Sequence, residues 1–260
     1  MVEATEGAAG AAEGAAGGTV LHMFTGPTVT VDGRQRAVPE GSKRLLGYVA
    51  LHGRRIDRRQ VAGALWPDGG DDRAGGNLRS ALWRLRCADI DVLDADKWTL
   101  GLHEGVAVDI RDVHAWAERV INGVPGVEDL AVRPSWIDAL DLLPGWCEDW
   151  VLYERERLRQ RTLHALESLS RRLAEADRAA DAVDAALLAV AAEPLRESAQ
   201  RALIEAHIAE GNRAEALRTY ETYRRLLRRE LNVEPSPALL APLRIGVREH
   251  SRTPYPMARA

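Results

Sequence analysis

The stretch LWPDGGDDRAGGNLRSALWRLRC, residues 65–87, decides how this chain is read. It holds four glycines, a proline, three aspartates, four arginines and two tryptophans. Pro67 ends whatever helix precedes it, DGGDD reads as turn and cap, and the remainder has helical spacing. Stepping about 100° per residue from Leu78 places Ala74, Leu78, Ala81, Leu82 and Leu85 in one apolar arc of about 100°. The opposite arc carries Arg73, Gly76, Asn77, Arg79, Ser80, Trp83, Arg84 and Arg86, and no acid after Asp72. An ordinary packing helix with a solvated outer face would look much like this. Two features point elsewhere. Trp83 stands outside the core stripe, and a large exposed indole favours a partner that covers it. A face that serves only solubility also mixes both charge signs. Arginine pairs with guanine edges or phosphates and asparagine with adenine, so this face has the chemistry of a DNA major-groove reader.

The flanking sequence supplies a setting for that helix. Residues 20–31 (VLHMFTGPTVTV) alternate loosely, and Asp32-Gly33 marks a hairpin turn before RQRAV. A helix follows, with Ser42 as its expected N-cap, Leu45, Leu46, Val49 and Ala50 on one face, and Gly53 as its stop. Asp57 caps a second short helix that Pro67 terminates. Beyond the third helix, Trp98, Leu100 and Leu102 alternate as in a strand, and Ala95-Asp96-Lys97 forms the turn of a hairpin. The expected order is sheet, three helices, hairpin.

From Asp109 onward the pattern is helical almost throughout, interrupted by loop signals over 122–134. EDWVLYERERLRQRTLHALESLSRRLAEA reads as one long amphipathic helix, followed by helices near 179–192, 195–210 and 212–230. An offset of about 34 residues, the tetratricopeptide period, aligns Leu169 with Leu203, Leu173 with His207, Ala182 with Ala216 and Ala186 with Tyr220. Pro194 closes the first unit, whereas Arg228 stands at that place in the second. Gly211-Asn212 separates two helices. Stacked helical hairpins of this kind normally bind other proteins.

Composition narrows the function classes. The formal net charge is −4, yet residues 34–86 hold twelve basic and five acidic residues, an excess of seven. One domain therefore carries a basic surface on an otherwise acidic chain. Arginine far outnumbers lysine, which occurs only as Lys43 and Lys97. The two cysteines, Cys87 and Cys147, form no disulfide framework or zinc spacing and read as half-buried thiols in a reducing cytoplasm. Residues 1–18, rich in Ala, Gly and Glu, lack a secretory signal and read as disordered. No run approaches a membrane span. No phosphate loop, dinucleotide fingerprint, His-x-x-x-His pair or nucleophile elbow occurs, so no catalytic residue and no cofactor is expected. Asp68, Asp71 and Asp72 fit no calcium loop and suit a helix start better than a metal. His207, at an inner repeat position, reads as packed.

The stretch LWPDGGDDRAGGNLRSALWRLR, followed by a hairpin and VAVDI, resembles the OmpR-like winged-helix domain of SARP-type bacterial antibiotic regulatory proteins. LLPGWCEDWVLYERERLRQ, EPLRESAQRALIEAHIAEGN and EALRTYETYRRLLRRELNVEPSPAL are similar to the bacterial transcriptional activation domain that follows it in that family. The resemblance covers about residues 20–250. It implies an α+β winged helix-turn-helix over 19–110, then an all-α domain of tetratricopeptide-like helical repeats over 111–250, with tails at 1–18 and 251–260. It places Asn77, Ser80, Trp83 and Arg84 nearest the bases, Arg73, Arg79 and Arg86 nearer phosphates, Trp66 by the DNA backbone, and Lys97 at an adjacent minor groove. It also implies side-by-side pairs on promoter direct repeats, recruitment of RNA polymerase holoenzyme, and control of a specialised-metabolite gene cluster. The location implied is cytoplasmic and nucleoid-associated, as a homodimer on double-stranded promoter DNA. Larger members append an ATPase module; with no phosphate loop before Ala260, this chain resembles the small class. Relatives generally carry better helix formers where Gly75 and Gly76 stand. Each glycine costs about 1 kcal/mol against alanine in a helix interior, so the first turn is expected to be loose and Arg73 a weak contact. The wing is acid-rich (Asp89, Asp91, Asp94, Asp96), which leaves Lys97 as its one expected phosphate contact. Two rival readings remain open: a protein-interaction adaptor, and a ligand-sensing regulator without promoter specificity of its own.

Overall fold

A computed structural model describes residues 18–131 and 140–243. Apart from Gly18, the expected tails at 1–18 and 251–260 lie outside the described residues, as does part of the 122–134 loop. The chain falls into two compact units that divide in sequence between Asp109 and Ile110.

The first unit contains β1 (Thr19–His22), β2 (Thr28–Val31), β3 (Arg34–Arg36), α1 (Glu40–His52), β4 (Ile56–Asp57), α2 (Arg58–Leu65), α3 (Asp71–Cys87), β5 (Leu93–Ala95), β6 (Thr99–Leu102) and β7 (Ala107–Val108). One sheet has the order β3-β2-β1-β7, antiparallel except for the parallel β1–β7 pair, and the other has the order β4-β6-β5. The β2–β3 hairpin turns on Asp32 (φ 49°) and Gly33 (φ 76°). Two successive positive φ values define the primed turn whose twist matches the strands, which is why an Asp-Gly pair stands there. Gly53 (φ 63°) stops α1 in the left-handed region, its amide bonded to Val49 O. The Asp57 carboxylate accepts the amides of Arg59 and Gln60 at 2.7 and 3.2 Å, the expected cap of α2. Leu21, Val29, Leu45, Leu46, Leu65, Leu78, Leu85 and Leu100 are buried in this unit.

Three local expectations fail here. Ser42 does not cap α1, because the helix already begins at Glu40 after Pro39. Ser42 is buried and donates its hydroxyl to Ala81 O at 2.9 Å, fastening α1 to α3. Trp98 is not part of the strand. Ala95 pairs with Leu100, and the turn runs from Asp96 to Thr99 because the Asp96 carboxylate accepts the amides of Trp98 and Thr99 at 2.7 and 2.8 Å. This local side-chain bond competes with the ladder and moves the turn forward. Cys87 and Cys147 are both exposed rather than half-buried; Cys87 lies at the end of α3, past its last buried residue, Leu85.

The second unit contains α4 (Asp109–Asn122, continuing from the division point), a 3₁₀ turn (Val127–Leu130), α5 (Asp149–Glu175), α6 (Ala179–Ala192), α7 (Glu197–Ala209), α8 (Arg213–Leu231) and a closing 3₁₀ turn (Pro237–Leu240). The helices α5–α6 and α7–α8 form the two repeat hairpins. Leu169, Leu203, Ala182 and Ala216 are all buried at the aligned positions. In α6, Ala182, Ala185, Ala186 and Ala189 are fully buried, so small side chains bring the neighbouring helices close. Gly211 (φ 81°) makes the α7–α8 turn. A buried ion pair links the two hairpins: Arg196 Nε donates to Glu167 Oε1 at 2.5 Å, and Ser198 donates to the same oxygen at 2.7 Å. The architecture is a winged helix-turn-helix followed by helical repeats. Among the described residues no helix is long and apolar enough to cross a membrane, and no group of three or more His, Cys, Asp or Glu side chains is placed to hold a metal ion.

Candidate nucleic-acid interface

The helix α3 is a continuous element that passes through both glycines without loosening. Gly70 stands at its N-cap and accepts the amides of Arg73 and Ala74 at 2.9 and 3.0 Å. Asp71 and Asp72 occupy the first turn, where negative charge complements the helix dipole, but neither caps through its side chain. At the other end Asp89 (φ 55°) reverses the chain. The Ile90 amide reaches back to Leu85 O at 3.0 Å and the Asp89 amide to Arg86 O at 3.1 Å, the paired bonds of a left-handed helix terminus. Arg36 lies 3.5 Å from Asp89 and steadies that reversal.

The buried side of α3 is Ala74, Leu78, Ala81 and Leu85, with Leu82 half-buried at the margin. Its outer side carries Arg73, Asn77, Arg79, Ser80, Trp83, Arg84 and Arg86 on one element. Trp83 is 65% exposed. Arg73, Arg79 and Arg86 are exposed and form no ion pair among the described residues. Arg79 folds back along the helix: its Nη1 and Nη2 lie 3.6 and 3.7 Å from where a Cβ would stand on Gly75 and Gly76. Arg84 behaves differently. Its Nη2 donates to Gly41 O at 3.2 Å, so the guanidinium lies over the first turn of α1 instead of standing free. Trp66 is half-buried at the C-cap of α2.

The β5–β6 hairpin shows what its acids do. Arg55 Nη1 pairs with Asp94, Arg55 Nη2 donates to Asp96 Oδ2 at 2.8 Å, and Arg55 Nε donates to Thr99 Oγ1 at 2.9 Å. Arg58 adds its backbone amide to Trp98 O at 2.8 Å and its Nη1 to Asp96 O at 3.0 Å. The amides of Thr99 and Trp98, with the Thr99 hydroxyl and Arg55, hold the Asp96 carboxyl down to about 2. The Asp94 hydrogen bond is the largest of the effects that raise Arg55. Two of the wing's four acids are therefore internal to it. What projects is Lys97, whose Nζ sits 4.7 Å from the centroid of the Trp98 ring, and Trp98 itself, 64% exposed.

Seven of the nine sequence-derived candidates thus share α3, with Trp66 on α2 and Lys97 on the hairpin. Sequence reasoning missed Trp98 as an exposed tip residue and Arg55 as the clasp behind it. The signal was present: an aspartate three residues before a threonine, Asp96 and Thr99, is a side-chain turn pattern.

Comparison with known proteins agrees with this architecture. Residues 137–243 match the bacterial transcriptional activator domain family. The chain is 30% identical over 210 residues to the regulatory protein AfsR of Streptomyces coelicolor; the match covers 77% of this chain and spans 21% of that relative's length. Its fold is similar to Mycobacterium tuberculosis EmbR, solved in complex with a low-affinity phosphopeptide, with a TM-score of 0.64 at 18% identity, covering 89% of this chain and 65% of that one. The chain thus carries a bacterial transcriptional activator domain behind a winged helix and aligns over most of its length with a regulatory protein, which supports the likeness to SARP-family bacterial transcriptional activators.

Proposed function

We propose that the chain is a sequence-specific DNA-binding activator that sets α3 in the major groove of promoter direct repeats. It pairs there side by side with a second copy and recruits RNA polymerase holoenzyme. The observation that carries this reading is the outer face of α3, where an exposed Trp83 is flanked by arginines without a neighbouring acid. In this reading Asn77, Ser80 and Trp83 meet base edges, and Arg73, Arg79 and Arg86 meet phosphates. Trp66 rests beside the DNA backbone, and Lys97 reaches the minor groove from the hairpin tip. Arg84 joins the bases only by leaving Gly41. The reading domain is 19–110, and the helical repeats of 111–250 supply the protein contacts. The likeness to that family supports a cytoplasmic, nucleoid-associated regulator of a specialised-metabolite gene cluster.

The test is fluorescence anisotropy of the purified chain on DNA from upstream of its own gene, across rising salt. A phosphate-binding face gives log affinity falling linearly with log salt, with a slope of about −0.9 per phosphate contact. Arg86→Ala should reduce that slope by about 1. Trp83→Ala should weaken specific sites more than random DNA. If both variants leave affinity and slope unchanged, α3 is not the reading face. A protein-interaction adaptor would show no promoter preference at any salt.

A further inference from the structure

Asn77, Ser80 and Arg84 stand at i, i+3 and i+7 of α3 and so form one line along the helix. Arg84 is the member of that line whose polar end is held by another element. Its Nη2 donates to Gly41 O at 3.2 Å, in the first turn of α1. Gly41 has no positive φ that would require glycine. What it provides is room. A Cβ there would stand 2.9 Å from Arg84 Nη2, 3.1 Å from Cζ and 3.3 Å from Nε, closer than side chains ordinarily pack.

The guanidinium is poorly served in that place. Its one hydrogen bond goes to a carbonyl that a helix already uses for the amide four residues on. The Arg84 Nε is buried and finds no partner among the described residues. The acid of that turn, Glu40, is taken by Lys43 at 2.7 Å. A first turn is also the positive end of a helix, where a cation is disfavoured. Arginines that bond backbone elsewhere in the chain are held more firmly: Arg155 takes three carbonyls and Arg172 two. A guanine edge in the major groove offers Arg84 two acceptors where Gly41 offers one.

We propose that Gly41 is a positioning residue for DNA reading: lacking a side chain, it stores the Arg84 guanidinium over α1 until a base edge draws that group off. The proposal rests on the reading of α3 as the DNA-reading helix. It adds to that reading a cost of release, which lowers affinity and is recovered only where the sequence supplies the right edge. Gly41 touches no DNA in this scheme and acts through Arg84 alone.

The experiment is a double-mutant cycle on the full chain, read by fluorescence anisotropy on DNA from upstream of its own gene. Gly41→Ala should tighten binding by about five- to tenfold, the scale of one hydrogen bond that no longer has to be broken. In the Arg84→Ala background the same change should alter affinity by less than about twofold. A side-chain signature accompanies the cycle. The Arg84 Nε–H resonance, assigned by its loss in Arg84→Ala, should exchange with water faster in Gly41→Ala. In the unaltered chain the same resonance should shift when the upstream DNA is added, a readout that needs no variant at Gly41. Unchanged or weakened binding by Gly41→Ala, a gain that persists without Arg84, or a resonance that the DNA leaves unmoved would overturn the proposal. Arg86→Ala and Trp83→Ala separate this outcome from the reading of α3. If they weaken binding while Gly41→Ala changes nothing, only the role of Gly41 falls; if they too change nothing, the reading of α3 falls and this proposal with it.

Discussion

Alanine at Gly76 should stabilise the N-terminal unit. Gly76 is an interior residue of the 17-residue helix α3 and has no positive φ to require glycine. A Cβ built there would meet only the Arg79 Nη2, at 3.7 Å, an ordinary van der Waals contact with the far end of a flexible side chain. Nothing therefore opposes the intrinsic gain of about 0.8–1 kcal/mol that alanine has over glycine in a helix interior. Gly75 is alike, with Arg79 Nη1 at 3.6 Å, so the double variant should gain about 1.5–2 kcal/mol. For a unit of this size the single change should raise the melting midpoint by about 3–8 °C. Calorimetry of the whole chain reads that midpoint, and hydrogen exchange of the α3 amides localises it. An unchanged or lowered midpoint, or a gain outside α3, would refute the reasoning. DNA affinity provides the second readout. If Gly76→Ala gains stability and keeps affinity, the glycines have no role at the interface. If it gains stability and loses affinity, they are where the DNA backbone comes closest.

Arg55→Ala should release the β5–β6 hairpin, seen as faster hydrogen exchange across 93–102 while the α3 amides stay protected; equal exchange in both proteins would remove Arg55 from the role of clasp. Glu167→Ala leaves Arg196 buried without its partner, at a cost of about 3–5 kcal/mol, and chemical denaturation should show it; a loss under about 1 kcal/mol would mean the pair is not buried as described. His114 gives a pH dependence. Burial, with Arg161 and Arg157 adding to it, holds its folded value below the ordinary histidine value of about 6.5, so its contribution to stability is full above that value and declines as pH falls through it. The melting midpoint should drop between about pH 7 and pH 5, and His114→Asn should flatten the slope. A slope identical to that of the unaltered chain would exclude His114 as its source.

The elements whose causes are local were legible in the sequence. The Asp32-Gly33 turn, the Asp57 cap, the Gly53 stop and the apolar stripe of α3 each depend on residues within a few positions, so spacing alone exposes them. The repeat hairpins followed from the same periodicity, and α6 has the bounds expected of it, 179–192. What escaped depends on distance along the chain. Ser42 looks like a cap beside its neighbours, but its hydroxyl is used by Ala81, 39 residues away. Arg84 looks outward on a helical wheel, but Gly41, 43 residues earlier, holds its guanidinium. The exposure of Trp83 on the candidate face of α3 was thus legible from spacing, while the bond that holds Arg84 was not.

That distinction matters most for arginine, which serves two purposes here. In the second unit Arg172 donates to Val120 O at 2.7 Å and to Gly123 O at 3.0 Å, closing the end of α4. Arg155 gathers the carbonyls of Leu142, Leu143 and Trp146, and Arg178 takes that of Leu130. A planar guanidinium with five donors suits the task, because it can satisfy several orphaned carbonyls that no helix or strand pairs. Arg58 and Arg84 do similar work in the first unit, and Arg36, Lys43 and Arg55 are held by acids. The local excess of basic residues therefore overstates the charge offered to a partner. Once the structural arginines are set aside, Arg73, Arg79 and Arg86 remain outward on α3. Trp83 lies among them, and it is that pairing state, not the arginine content, that supports the proposal of this face as the DNA-reading surface.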